Sequence, residues 1–513
     1  MKRNTASASL RFVIVCALVG STDGFAQTPP PVHLVIPFAN ATREPRLYWL
    51  SEASAVLLAD DLQALGAPAM RREDRLRAFE RLRVPPVSTL SHATVIRLGQ
   101  LVGASTVVIG SYQIQDDALT VRARSIRLDT GRMSPELVER GPLADMLETY
   151  GRLAQRIVPE SGVPADPPAR LYPSLAAFEQ YIKGLLAEAP DAKVAFLEQA
   201  LRLVPAFPRA RIALWDVRTD QGDHRRAMEA IRQVPAADPL VRQARFLGAV
   251  SMLHLGQPQA AFAEFSALNE AARDPALFNN MGVAQLRRRA ASPGPSPLPG
   301  VAGRAVSYFG DAAMLDGSDP DLFFNTGYAY WLDRDAQGAI ASLREAVRRN
   351  PADDAAHYVL GVALQSSGST AEAAREKELA RRLSSTYVEW EQQHPGANTV
   401  PPGLERLKTD LDVPASLRVD AAVVAAEQRD QRAIAAFHLD AGRRLFQEGR
   451  DEEAVGELRR TIFLAPYESQ AHLLLGRIYL RTGRRQDAID ALTIAVWSDP
   501  ADGEGRALLE SVQ

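Results

Sequence analysis

The chain has 513 residues, of which 46% are hydrophobic and 24% charged, and it carries a formal net charge of −3 at pH 7. That length calls for several folding units, and the composition is ordinary for a water-compatible protein. Near-neutral charge excludes a general attraction to nucleic acid or to an anionic membrane, and a single cysteine, Cys16, excludes a disulfide framework.

At the N-terminus, Lys2, Arg3 and Arg11 precede an apolar run over 12–19, and Gly24-Phe25-Ala26 sets small residues before Gln27. This is the pattern of a secretory signal peptide over 1–26, cleaved before Gln27. An uncleaved anchor is the alternative, but the run is too short to cross a hydrocarbon core of ~30 Å. Val15 before Cys16 argues against lipid attachment. The expected mature chain has no thiol, so it has no thiolate metal site and no cysteine nucleophile. No later stretch reaches the ~18 apolar residues of a span. The expectation is a soluble, exported protein of a Gram-negative-type periplasm with no integral membrane span.

Residues 32–158 mix strand and helix signals. His33 to Phe38 reads as a short buried strand, and 47–65 carries a helical stripe through Leu50, Ala53, Leu57, Leu58 and Leu62. Two charged, amphipathic helices follow over 72–83 and 92–102. The β-branched runs 106–113 and 119–128 read as a hairpin turning at Asp116-Asp117. A turn at Asp129-Thr130-Gly131 leads into 133–140, and a helix over 143–158 closes a small α/β domain. Residues 159–173 hold five prolines and read as a stiff linker.

Beyond the linker, glycines recur at Gly248, Gly282, Gly327, Gly361, Gly442 and Gly476, at spacings of 34, 45, 34, 81 and 34. Small residues at fixed offsets downstream, such as Ala488 and Ala495 after Gly476, complete a pattern of paired helices. The glycine lets the two helices of a pair approach, and a large side chain there is expected to cost ~1–3 kcal/mol by overpacking. The loop ASPGPSPLPG, 291–300, accounts for the spacing of 45. Lengthening such a loop costs only ~0.6 kcal/mol per doubling. The reading gives six pairs over 174–387, an irregular insertion or linker over 388–434, two pairs over 435–502 and a tail over 503–513.

With a 34-residue period, residues 174–502 resemble bacterial tetratricopeptide repeat proteins. Residues 33–140, notably VIPFAN, VGASTVVIGSYQ and LDTGRM, look like the amino-terminal α/β domain of TolB-type proteins. The fold class is therefore mainly α, a solenoid of about eight helical pairs preceded by a small α/β domain. The catalytic and DNA-binding modules and the β-propeller of those relatives are not found in this sequence, so their activities are not carried over. The resemblance implies protein–protein contact in envelope complexes.

No catalytic constellation emerges. The eight histidines form no HxxxH or HExxH spacing, and His357, His438 and His472 fall at a packing position of the repeat. Glycine-rich phosphate loops and nucleophile elbows are absent. Asp60-Asp61 and Asp353-Asp354 read as solvated faces or helix caps, and Arg287-Arg288-Arg289 as a solvated helix end or an acidic-partner contact. No cofactor, metal or nucleic acid is implied.

The repeat register places Phe324, Tyr328 and Trp331 of the fifth pair, Tyr358 and Gln365 of the sixth, and Arg245, Asn279 and Arg287 of neighbouring pairs on the concave side. Aromatic residues and Arg dominate binding hot spots. Phe323 and Tyr330 fill the expected core positions, which leaves the other aromatics surplus to packing. Arg443, Arg477 and Arg481 make the same side basic in the last two pairs, suiting an acidic ligand. Asn280 and Asn325, at the sixth position, read as structural. The expectation is a non-catalytic scaffold binding a protein or peptide segment in the groove. The alternatives are a small-molecule receptor or enzyme built on the α/β domain, and a self-assembling solenoid.

Overall fold

A computed structural model describes residues 32–42, 47–81, 92–158, 174–290, 301–396, 398–412, 421–465 and 467–512. Residues 1–26, expected as a signal peptide, the proline-rich 159–173 and the loop 291–300 lie outside the described residues.

The first unit runs β1 (His33–Val35), β2 (Ala39–Asn40), α1 (Trp49–Ala64), α2 (Arg72–Arg81), α3 (His92–Leu101), β3 (Thr106–Gln115), β4 (Ala118–Arg127), β5 (Leu137–Pro142) and α4 (Met146–Ile157). The sheet order is β1-β3-β4-β5, with β2 also paired to β3. β1 lies parallel to β3, pairing Leu34 with Val107, whereas β3, β4 and β5 are antiparallel. Asp116 and Asp117 both take positive φ, 50° and 60°, the conformation a two-residue hairpin turn needs. Leu119, Val121 and Ala123 alternate inward along β4, and α1 is buried on nearly every face against them.

Helical pairs follow: α5 (Leu175–Leu186) with α6 (Pro190–Leu203), α7 (Pro208–Asp220) with α8 (His224–Ile231), α9 (Val241–His254) with α10 (Pro258–Ala271), and α11 (Pro275–Ala290) with α12 (Val301–Leu315). Next come α13 (Pro320–Leu332) with α14 (Ala336–Arg349), α15 (Asp354–Ser366) with α16 (Thr370–Leu383), and a lone α17 (Thr386–Gln393). The last are α18 (Ala421–Gln447) with α19 (Asp451–Leu464), α20 (Ser469–Arg481) with α21 (Arg485–Ser498), and α22 (Gly503–Val512). Proline opens α7, α10 and α13, where its missing N–H costs no intrahelical bond.

The recurrent glycines sit where helices touch. A Cβ on Gly282 would come within 2.5 Å of Phe309, one on Gly327 within 2.5 Å of Leu343, and one on Gly476 within 2.6 Å of Leu492. Gly248 departs from the rule, because its nearest neighbour would be Ile231 at 3.8 Å. In the second pair Trp215 stands in the glycine's place and donates through Nε1 to Ser251 Oγ at 2.8 Å.

The proline-rich segment separates the α/β unit from the repeats in sequence but not in packing. Leu57, Leu62 and Tyr150 share one core with Phe178, Leu197 and Phe207. Arg72 donates to the Leu185 carbonyl at 2.9 Å, and Arg209 meets Asp60 at 3.1 Å. Glu52 lies buried between Arg72, at 2.8 Å, and Arg75. Burial alone would raise its carboxyl, but the two guanidiniums hold it below the usual carboxylate range. Tyr467 joins this same core, and Trp497 packs against both Tyr467 and Phe196.

Candidate functional site: an occupied groove

The first helices of successive pairs, α9, α11, α13 and α15, line one side of the array. Residues 398–412, expected as part of an irregular linker, lie across them as chain without helix or strand, with positive φ at Gly403 and Asp412. The segment runs against the repeat order. Asn398 donates to the Val362 carbonyl of α15 at 3.1 Å, and the Asp412 N–H donates to Asp274 beside α11 at 3.0 Å.

Two asparagines hold its backbone. Asn325 accepts the Arg406 N–H and donates to the Arg406 carbonyl, both at 2.8 Å. Asn280 accepts the Lys408 N–H at 2.9 Å and donates to the Lys408 carbonyl at 2.8 Å. In extended chain, groups two residues apart face the same way, so one asparagine per repeat reads alternate residues. Asn279 donates to the Arg406 carbonyl at 2.9 Å and accepts from Asn325 at 2.8 Å, joining the two clamps.

Charges read the side chains. Arg406 meets Asp353 at 2.6 Å and Asp321 at 2.8 Å, and its guanidinium lies 3.8 Å over the Phe324 ring. Lys408 meets Asp321 at 2.6 Å and Asp319 at 2.7 Å. Asp319 and Asp353 also cap α13 and α15, accepting from Asp321 N at 3.0 Å and Ala356 N at 2.9 Å. The carboxylate of Asp353 is therefore a cap, as expected, and a ligand for an arginine as well. Burial would raise the Asp321 carboxyl, but Lys408 and Arg406 outweigh it and hold the group at about 2. On the other side of the segment, Arg287 donates to Glu405 at 2.7 Å.

The groove aromatics are all engaged. Tyr328 donates to the Pro401 carbonyl at 3.5 Å, and Tyr358 to the Thr399 carbonyl at 3.4 Å. Trp331 and Val400 both pack on the cluster around Tyr358 and Tyr387. Phe324 is 0% exposed and Tyr328 3%, so they are not surplus surface residues. Phe323 and Tyr330, expected as core, are the half-buried pair, and Arg349 covers Phe323 at 3.7 Å. The segment roofs the groove over Phe324 and Tyr328.

Of the remaining expected residues, Arg245 is exposed and pairs with Glu264 at 2.5 Å, away from the segment. The basic face of the last pairs is neutralised. Arg443 meets Asp440 at 3.1 Å, Arg477 meets Glu504 at 3.1 Å, and Arg481 meets Asp451. The three arginines thus have carboxylate partners within the chain. His357 and His438 each bind a glutamate of their own helical pair, Glu376 and Glu457, at 2.6 Å, a packing role. Among the described residues no cluster of His, Cys, Asp or Glu could hold a metal ion, and no helix is long and apolar enough to cross a membrane.

Residues 212–275, 303–354, 324–385 and 439–504 match the family model of the tetratricopeptide repeat, so the chain carries these repeats in a mainly helical fold. No curated protein matches the chain. Solved structures similar to parts of it include MamA, at 17% identity over 34% of this chain and 97% of that chain, TM-score 0.29. YrrB, titled a TPR protein with an unusual peptide-binding site, is 14% identical over 38% of this chain and 97% of that chain, TM-score 0.29. TTC0263, a TPR protein of Thermus thermophilus, is 18% identical over 36% of this chain and 96% of that chain, TM-score 0.32. At such scores these likenesses carry no inference about what this chain binds.

Proposed function

We propose that this protein is a non-catalytic interaction scaffold whose groove over α9 to α15 binds an extended peptide segment of a protein partner. One observation carries the reading: Asn280 and Asn325 are set to pair with both backbone groups of alternate residues in an extended chain. Main-chain pairing of that kind gives affinity for any extended peptide, and the flanking side chains select among peptides. We further infer export to a periplasm, from the leader-like residues 1–26, and a place in a cell-envelope complex. The α/β unit, with its resemblance to the amino-terminal domain of TolB-type proteins, would supply a second attachment there.

The groove assignment is tested by a photo-cross-linking amino acid at Arg287 or Trp331, which lie against the segment, compared with Arg348 on the outer helix α14. A discrete partner adduct is expected from the groove positions only, and it should disappear in N280A/N325A. Equal adducts from Arg348, or adducts that survive N280A/N325A, would overturn it. Export is tested by fusing residues 1–31 to a phosphatase that is active only outside the cytoplasm; an inactive fusion overturns it.

A further inference from the structure

The groove does not stand empty: the chain fills it with its own residues 398–412. We propose that this segment is an intramolecular stand-in for the partner's peptide, and that the partner binds by displacing it with an extended segment carrying two cations two residues apart. The inference rests on the peptide-binding reading above and names both the ligand class and its control.

Without the segment, the groove would lack its counter-charges. Asp319, Asp321 and Asp353 would face one another with no cation between them, whereas with the segment in place Arg406 covers Asp353 and leaves its side chain 2% exposed. Like charges so placed repel, and a paired cation relieves them. Phe324 would lose the guanidinium that stacks on it. The occupant is therefore specified: extended backbone for the two asparagines, and a pattern of Arg-x-Lys type for the three aspartates. Glu405 opposite Arg287 adds an acidic residue just before the first cation. Any incoming peptide must meet the same three demands.

The segment is also tethered close by. Only residues 394–397 separate the end of α17 from Asn398, and Pro395 and Gly396 are exposed, with Gly396 at φ 72°. A short tether gives an effective concentration on the order of millimolar, so a free peptide with the same contacts competes at a disadvantage of ~10²-fold or more. Occupancy in cis thus sets a threshold that only a better-matched or multiply attached partner passes. The contacts made by the ends, Asn398 on Val362 and Asp412 on Arg242 at 2.9 Å, are separate from the central clamp, which allows displacement to begin at either end.

The test uses the full chain and a fluorescein-labelled synthetic peptide of residues 398–412, read by fluorescence anisotropy. R406E/K408E puts two carboxylates against the three aspartates and expels the segment while leaving the groove intact. Peptide binding is expected to tighten by ~100-fold over the wild type, to weaken steeply with salt, and to vanish for a peptide carrying the same two reversals. R406Q, a milder change for the case in which the double variant misfolds, should give an intermediate gain at unchanged helicity. Equal affinity in wild type and folded variants overturns the displacement. Equal binding of the reversed peptide overturns the cationic pattern. No binding to folded variants overturns the ligand class while partner cross-linking from the groove could still succeed, so the two readings fail separately. A wild type that sediments as a dimer and an R406E/K408E chain that sediments as a monomer would show the segment to come from a second copy, and would also overturn the proposal.

Discussion

Replacing Asn325 with alanine isolates the clamp. The side chain makes three hydrogen bonds of 2.8 Å: it accepts from Arg406 N and donates to Arg406 O and to Asn279 Oδ1. A net hydrogen bond contributes ~1 kcal/mol, and a buried N–H left without a partner costs ~1–3 kcal/mol. The Arg406 carbonyl keeps Asn279 as a donor, so its loss is partial, whereas its N–H has no substitute. The segment should therefore be held less tightly by roughly 2–3 kcal/mol, a ~30- to 160-fold larger open fraction. Alanine is a good helix former, so α13 itself should not suffer. Native-state amide exchange followed by mass spectrometry checks this directly. Exchange of the stretch containing Arg406 and Lys408 should accelerate ~30-fold or more, while amides of α20, outside the groove, keep their protection. Unchanged exchange at Arg406 would sink the clamp, and equal acceleration in α20 would show that Asn325 serves global stability instead.

Three further outcomes follow from the same packing. Gly327→Ala should lower stability by ~1–3 kcal/mol in thermal melts, since its Cβ would fall 2.5 Å from Leu343, while Gly248→Ala, with 3.8 Å to spare, should be neutral or stabilising by up to ~1 kcal/mol. Glu52→Gln leaves Arg72 and Arg75 buried without a full counter-charge and should cost ~3–5 kcal/mol in denaturant unfolding; a loss under 1 kcal/mol would mean that water reaches the cluster. Docking of the segment should be insensitive to pH above ~4 and weaken as pH falls towards 2. Asp321 is held at about 2 when docked, below its ordinary 3.8, so its contribution of roughly 2 kcal/mol is present above the higher value and lost through the lower one. Amide exchange at Arg406 as a function of pH, corrected for intrinsic rates, reads this out.

The repeat array was legible because its information is local. A glycine, a small residue and a proline at fixed offsets each answer to one helix contact, as Gly327 against Leu343 and Gly476 against Leu492 show. The groove was legible as a surface, since Asn279, Arg287, Phe324, Tyr328 and Tyr358 all touch the same segment. Its occupant was not. An extended stretch has no period of its own, and the partners of Arg406 and Lys408 lie 53 to 128 residues away. The free basic face of the last two pairs failed for a related reason: Asp440 is visible three residues before Arg443, but Asp451 and Glu504 reach Arg481 and Arg477 only through the fold. Asn280 and Asn325, which read as structural, carry a signal present in the sequence. Among the eight pairs only the fourth and fifth carry asparagine two residues before the glycine position; the neighbouring pairs carry Phe246 and Val359 there.

That restriction explains why the groove reads one register. Packed helices sit ~8–10 Å apart, whereas two residues of extended chain advance only ~6.6–6.8 Å. A straight stack would lose step with a peptide after one repeat. On the concave side of a curved stack the inner faces converge, and Asn279, bridging Asn280 and Asn325, draws the two clamps together. Agreement between the two spacings can persist over only a few repeats, and Phe246 and Val359 mark where it ends. Beyond them the segment is held by side-chain and terminal contacts instead, through Tyr358, Asn398 and Asp412. Backbone recognition therefore fixes position at residues 406 and 408, where Asp319, Asp321 and Asp353 also converge. An extended peptide shifted by one residue would turn its cations away from the aspartates and its backbone groups away from both asparagines at once, so register and charge select the same alignment.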